Sequence, residues 1–401
     1  MAQHTLFGTF DNESEDDLIQ NSLSFGEAVI WGADWTTETI TTQLLKGNID
    51  LKPKFQRRDA WTSQTKSKFI ESLILGLPIP QIILAERKDQ KGKYIVIDGK
   101  QRLLTIRRFF AKGPNDEFES FKLSGLSILT TLNGKKCSEL LDEPQYSEIV
   151  NQLQNQTIRT TVIKNWPDES FLFTVFLRLN TGSIKLSPQE LRQALHPGSF
   201  IDFADSFSLN SAAIKKMLRL SSPDFRMRDV EMVIRFFNFK LFLSQYDGNL
   251  KSAFDNTVKT LNSNWNDRES EIKSAVEQLE EAINFTLGIF GEQDAFSKYV
   301  GQSYQRKFNR AIYDIMVFYF SDSNIREASQ NCAEQIRTGF KELSSTNKEF
   351  LNSIEQTTKS LNNTETRFKL WGEKLAEIIN IKVQLPKLEN NRLSLVESTN
   401  G

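Results

Sequence analysis

The stretch from Tyr94 to Phe110, YIVIDGKQRLLTIRRFF, changes its hydrophobic period half-way along. Tyr94, Ile95, Val96 and Ile97 form a continuous apolar run, the pattern of a strand buried on both faces. After Asp98 and Gly99, the residues Leu103, Ile106, Phe109 and Phe110 recur at helical spacing, so a helix is predicted from about Lys100. A strand that passes straight into a helix leaves the first N–H groups of that helix without backbone partners. Such a terminus attracts anions. Gly99 allows close backbone approach, Lys100 and Arg102 supply positive charge, and Asp98 can hold a metal ion or orient a water. The same dipeptide is also an ordinary turn and cap before an amphipathic helix. What favours a site is a second polar cluster, Phe55-Gln56-Arg57-Arg58, upstream in the same apolar segment.

Working outward, Thr36 and Thr37 can cap a short helix carrying Ile40, Leu44 and Leu45, with Gly47 at its C′ position. Ile49 to Phe55 reads as an extended segment delivering Gln56, Arg57 and Arg58 into a loop. From Ser63 a second amphipathic helix is predicted, with Phe69, Ile70, Leu73, Ile74 and Leu77 on one face and Gly76 at its end. Leu77-Pro78-Ile79-Pro80 cannot continue it. Ile82, Ile83 and Leu84 then form a central strand, and the turn Gln90-Lys91-Gly92-Lys93 pairs it with the 94–97 strand. The expected unit is α+β, and both polar clusters fall at element ends.

The strings FQRRDAW, KSKFIESLILGLPIPQIIL and YIVIDGKQRLLTI, in that order and spacing, resemble the ParB/sulfiredoxin-like N-terminal domain of GmrSD-type restriction and SspE-type phage-defence proteins. In that family the strand-to-helix motif is typically Asp-Gly-Gln-Gln-Arg, associated with binding and hydrolysis of a nucleoside triphosphate. The resemblance maps Asp98, Gly99, Gln101 and Arg102 onto that motif and Gln56 and Arg57 onto the family's upstream Gln-Arg pair. With the charge of Lys100 added, the expected catalytic residues are Asp98, Gln101 and Arg102, the expected nucleotide-binding residues are Gln56, Arg57, Gly99, Lys100 and Arg102, and the expected metal is Mg²⁺ on Asp98. Lys100 departs from the motif, where Gln is usual, which makes binding the firmer implication and hydrolysis the weaker.

Thr157 to Lys164 is β-branched enough to complete the first sheet. Ser187-Pro188-Gln189-Glu190 has the form of a capping box, opening a helix with Leu191 and Leu195. Arg178, Asn180 and Gly182 precede it. The family carries a similar Arg, Asn-Thr-Gly and Leu-Ser-x-x-Glu-Leu-Arg at this distance, so the resemblance extends to about residue 195. Arg178, Asn180 and Gly182 either contact the ligand or stitch a loop to the domain below.

Beyond residue 200 the period is helical. Val230, Val233, Ile234, Phe237 and Leu241 form one stripe; Ile272, Val276, Leu279, Ile283 and Phe290 a second; Phe308, Ile312, Ile315 and Tyr319 a third. The expected division is an acidic, flexible arm over 1–30, an α+β nucleotide-binding domain over 31–198, an all-α helical domain over 199–384, and a frayed tail over 385–401. Two basic clusters, Arg226-Met227-Arg228 and Gln305-Arg306-Lys307, are expected at helix starts, as solvated faces or as holders of phosphate, DNA or a partner.

Composition removes several classes of function. A formal net charge of −1 and a pI of about 6.3 give no global field toward nucleic acid or membrane. No signal peptide is visible, no apolar run approaches the ~20 residues of a membrane span, and Cys137 and Cys332 match no zinc spacing, so a reduced cytoplasm is expected. With His4 and His196 as its 2 histidines, the chain lacks the set needed for a His-Asn-His nuclease, a HExxH protease or a His-dependent triad. The leading expectation is a nucleotide-binding, NTP-hydrolysing component of a bacterial restriction or anti-phage system, base preference open. Alternatives are a DNA-binding or DNA-nicking module without NTP turnover, and a regulatory, antitoxin-like partner of a separately encoded nuclease. The oligomeric state is open.

Overall fold

A computed structural model describes residues 28–49, 51, 60–111, 116–179 and 187–398. Gln56, Arg57, Arg58, Asn180, Gly182 and residues 1–27 of the expected arm lie outside the described residues, and β1 begins at Val29, inside the bounds expected for that arm. The chain divides into a unit over Leu18–Leu195 and a second from His196 onward.

The first unit is α+β. Its elements in chain order are β1 (Val29–Thr36), α1 (Thr37–Leu45), α2 (Ser63–Ile74), β2 (Ile82–Glu86), β3 (Tyr94–Asp98), α3 (Lys100–Phe109), α4 (Cys137–Asp142), α5 (Ser147–Asn155), β4 (Thr157–Lys164), α6 (Glu169–Leu179) and α7 (Pro188–Leu195). The sheet order is β1-β4-β2-β3. β2 lies parallel to β4, with Ile83 opposite Thr161, while β1–β4 and β2–β3 are antiparallel.

The two-residue period of a strand sorts its side chains into two cores. Ile82, Leu84, Val96 and Ile158 pack with Ile40, Ile70, Leu73, Leu103 and Ile106 of α1, α2 and α3. Ile83, Ala85, Ile95, Ile97 and Ile163 point the other way, onto Phe171, Leu172 and Phe176 of α6 and Leu191 of α7. Helices on both faces therefore explain why β2 and β3 open with continuous apolar runs. Thr36 caps α1 as expected, accepting from Thr39 N, and Thr62, which the sequence reading did not single out, caps α2 by accepting from Thr65 N. At the end of α2, Gly76 adopts φ +67°, and Gly76 N and Leu77 N donate to Leu73 O and Ser72 O, a Schellman ending. Glu71, buried on α2, accepts from the backbone N–H groups of Ser127, Ile128 and Leu129 and so holds the loop that follows α3.

The second unit contains α8 (Ser199–Asn210), α9 (Ala212–Met217), α10 (Arg228–Leu241), α11 (Leu250–Ser263), α12 (Trp265–Phe290), β5 (Ser297–Val300), β6 (Ser303–Phe308), α13 (Arg310–Phe320), α14 (Ser323–Ser329), α15 (Ala333–Thr346), α16 (Lys348–Glu355), α17 (Leu361–Ile379), β7 (Gln384–Glu389) and β8 (Arg392–Glu397). It is helical as expected, with two β-hairpins added. The second hairpin replaces the frayed tail: Leu385 and Leu393 are buried, and β7 pairs with β8 from Gln384–Glu397 to Glu389–Arg392. Short alternating segments give too weak a periodic signal to be seen beside long helices.

Of the expected helical stripes, that of α10 buries Val230, Val233, Ile234 and Phe237, the residues named for α12 are all buried, and Ile312, Ile315 and Tyr319 are buried on α13, while Phe308, expected on the same helix, is buried at the end of β6. Arg235 of α10 donates to both oxygens of Asp314 of α13 at 2.6 and 2.9 Å, and Arg367 of α17 reaches the same carboxylate at 3.4 Å. All three side chains are almost wholly buried. The basic cluster at 226–228 is not a solvated face. Arg228 is buried and clasps Asp224 with its Nε and Nη2. The cluster at 305–307 is exposed as expected but lies on β6, not at a helix start.

Candidate functional site at the β3–α3 turn

β2 and β3 lose register at the end of β3: Leu84 faces Val96, but Ile83 faces Asp98, so β3 carries an extra residue between them. A bulge of this kind bends the strand and re-aims the residues that follow. Gly99 then adopts φ +98° and is the N-cap of α3, with no side chain capping the helix. A Cβ here would be strained by the dihedral and would sit 3.1 Å from Ile82 Cγ1. The sequence therefore needs glycine at 99 on two grounds, backbone conformation and space.

Around this turn the structure brings together Asp98, Gly99, Gln101 and Arg102. Arg102 Nη2 donates to Asp98 Oδ2 at 2.8 Å and to Gln81 O at 3.0 Å. Asp98 keeps 43% of its side chain exposed against 14% for Arg102, so the carboxylate faces outward from the pair. Two polar atoms here are buried without hydrogen-bond partners, Gln101 Oε1 and Arg102 Nε. Leaving a buried polar group unpaired costs about 1–3 kcal/mol, and sites that await a ligand carry such groups.

Lys100 is paired within the protein. Its Nζ donates to Glu190 Oε1 at 2.5 Å, with the two side chains 8% and 5% exposed. Glu190 is also the N3 residue of the capping box read from the sequence. Ser187 N donates to Glu190 Oε2 at 2.8 Å, and Glu190 N to Ser187 Oγ at 3.1 Å. The cation at position 100 thus ties the start of α3 to the start of α7, and its charge is met by a carboxylate. Arg192, Gln189 and Gln193 extend this buried polar cluster along α7, with Arg192 Nη1 donating to Gln189 Oε1. Sequence reasoning missed Gln81, whose carbonyl anchors Arg102, and the pairing of Lys100 with Glu190. The only available signal for that pairing was the coincidence of an unusual Lys with a capping Glu. Arg178 is exposed at the end of α6.

Residues 41–197 match the family model described as GmrSD restriction endonuclease, N-terminal domain. The first unit is a GmrSD-type N-terminal domain. The match ends at residue 197 and says nothing of the helical unit beyond it. Neither the curated proteins nor the solved structures gave a match. Within this GmrSD-type domain, the 94–102 strand, turn and helix and the 187–195 capping helix meet through the Lys100–Glu190 ion pair. Among the described residues, no helix is long and apolar enough to cross a membrane.

Proposed function

We propose that the GmrSD-type domain binds and hydrolyses a nucleoside triphosphate at the β3–α3 turn, as one component of a restriction or anti-phage system. The observation that carries this reading is the uncapped helix start behind Gly99, with Gln101 Oε1 and Arg102 Nε buried and unpartnered beside it. Helix N-termini favour phosphate through free N–H groups and the helix dipole. Arg102 already lies over the turn through its bond to Gln81 O, and swinging from Asp98 to a phosphate would exchange one anion for another. That exchange frees Asp98 to supply a carboxylate oxygen to Mg²⁺, an ion commonly held by one or two carboxylates plus substrate phosphates. Bound there, the ion would neutralise charge developing on the transferred phosphoryl group. Gln101 would orient the attacking water, and Gln56 and Arg57 would contribute from the upstream segment. Lys100 acts through Glu190 as a positioning residue and is not assigned to the phosphates.

The test is thermal unfolding of the full chain with ATP, GTP, CTP or UTP, each with and without Mg²⁺, for wild type and Arg102→Ala. A ligand at ~100 times its dissociation constant stabilises by roughly 2.7 kcal/mol, which is readily seen. A nucleotide-dependent shift that the variant loses supports the site. Absence of a shift with every nucleotide refutes it.

A further inference from the structure

The helical unit has a cleft of its own, about 660 Å³, where the β5–β6 hairpin meets the end of α12 and α15. This is within the usual range for small-ligand sites, roughly 300–1,000 Å³. Its lining combines aromatic rings with cations: Tyr299, Tyr304, Arg306, Arg337 and Lys341, against the single carboxylate of Asp294. The Tyr299 and Tyr304 rings meet edge to face at 5.1 Å, and Lys341 Nζ lies 5.6 Å over the Tyr299 ring. Among the described residues Lys341 has no carboxylate partner in hydrogen-bonding reach. Arg306 is exposed, with Nε 3.2 Å from Asp294 Oδ1. Arg337 is held by Ile289 O and Glu334. The Tyr304 hydroxyl is buried with no hydrogen-bond partner. Burial, and then the Asp294 carboxylate, push this phenol well above its ordinary value, so it remains an O–H donor.

We propose that this cleft binds a nucleobase together with its phosphate. The base packs on the Tyr299 ring, Lys341 and Arg306 meet the phosphate, and the Tyr304 hydroxyl donates to the ligand. Stacking on an aromatic ring beside cations is how single-stranded nucleic acid is held without reading its sequence. An excess of cations over carboxylates confined to one cleft also reconciles such binding with a net charge of −1. The site is independent of the β3–α3 turn, and its failure would leave the NTP reading untouched.

The test is fluorescence anisotropy of the full chain with a labelled thymidine oligonucleotide, competed with thymidine monophosphate. The variants are Arg306→Gly with Lys341→Ala, Tyr304→Phe, and Arg102→Ala as a control for the other site. Arg306 has φ +55°, a left-handed conformation that glycine adopts freely. Arg306→Gly therefore removes the cation without harming the fold, which the circular dichroism spectrum and melting temperature check. Wild type is expected to bind. The double variant should bind at least about tenfold more weakly, with its salt slope reduced by roughly 0.7, the share of the one phosphate that the two cations neutralise. Tyr304→Phe should weaken binding a few-fold and Arg102→Ala should not change it. Competition by the monophosphate identifies a free nucleotide as sufficient; its failure identifies a nucleotide within a strand, and either supports the proposal. It is overturned if wild type does not bind at roughly 100 μM, the weak end of non-specific affinity, or if the folded double variant binds like wild type.

Discussion

Replacing Lys100 tests whether its charge belongs to Glu190 or to a ligand. With both side chains almost wholly buried and 2.5 Å apart, Lys100→Ala strands a carboxylate in a site it cannot leave. Removing one partner of a buried pair typically costs about 3–5 kcal/mol, most of it the uncompensated charge. Glu190→Ala should cost a similar amount, plus about 1 kcal/mol for the lost capping box with Ser187. Lys100→Gln leaves an amide that can donate to the same carboxylate. A hydrogen bond to a charged group contributes about 1.5–3 kcal/mol, so this variant should lie well above Lys100→Ala. The double variant Lys100→Ala/Glu190→Ala removes both charges together, so it should be no less stable than either single variant, and a cycle should return a coupling of about 3 kcal/mol or more. Urea unfolding of the full chain, followed by circular dichroism and tryptophan fluorescence, reads all four. For a domain of this size each kcal/mol moves the melting temperature by roughly 2–4 °C, so Lys100→Ala should melt well over 5 °C below wild type. A Lys100→Ala protein within about 1 kcal/mol of wild type, or a coupling near zero, would show that Lys100 is not committed to Glu190. Nucleotide affinity adds a second reading: Lys100→Gln should leave it unchanged if the lysine makes no phosphate contact.

In the helical unit, Asp314→Ala would leave Arg235 and Arg367 buried without their shared carboxylate; a loss of about 3–5 kcal/mol is expected, and urea unfolding that matches wild type would refute the account of this triad. Acid should be felt at Glu71. Burial alone would raise its pKa, but the N–H donors of Leu129, Ile128 and Ser127, aided by Lys68, hold it below the ordinary 4.5. A carboxyl depressed in the folded state stabilises above its unfolded pKa, and that contribution disappears as pH falls through the folded value. Stability should therefore drop from about pH 4.5 downward, and Glu71→Gln should lower stability at neutral pH while flattening that part of the acid profile. A Glu71→Gln profile parallel to wild type through this range would contradict the assignment.

Local elements were legible because their causes are local. Thr36 caps a helix because a β-conformation hydroxyl reaches an N–H three residues on. Ser187 and Glu190 close a capping box for the same short-range reason. The strand-to-helix turn at Asp98-Gly99 was announced by the change of hydrophobic period. The helical stripes of the second unit were visible because long helices repeat their pattern many times, whereas the 297–308 and 384–397 hairpins repeat it too few times to register.

What the chain's residues determined by themselves was the set of elements, the need for glycine at the turn after β3, and the resemblance that the family match over 41–197 then supported. What only the tertiary structure decided was pairing between distant segments. β4 sits between β1 and β2, an order that no local propensity encodes because strands find neighbours through the cores they share. Lys100 turns to Glu190, ninety residues away, because a buried cation takes the carboxylate that the fold brings to it. The apparently solvated Arg228 is drawn inward by Asp224, and the exposed Arg306 joins Tyr299 and Lys341 around one cleft. In each case the residue type was plain in the sequence, but the partner, and with it the role, depended on which surfaces folding brought into contact.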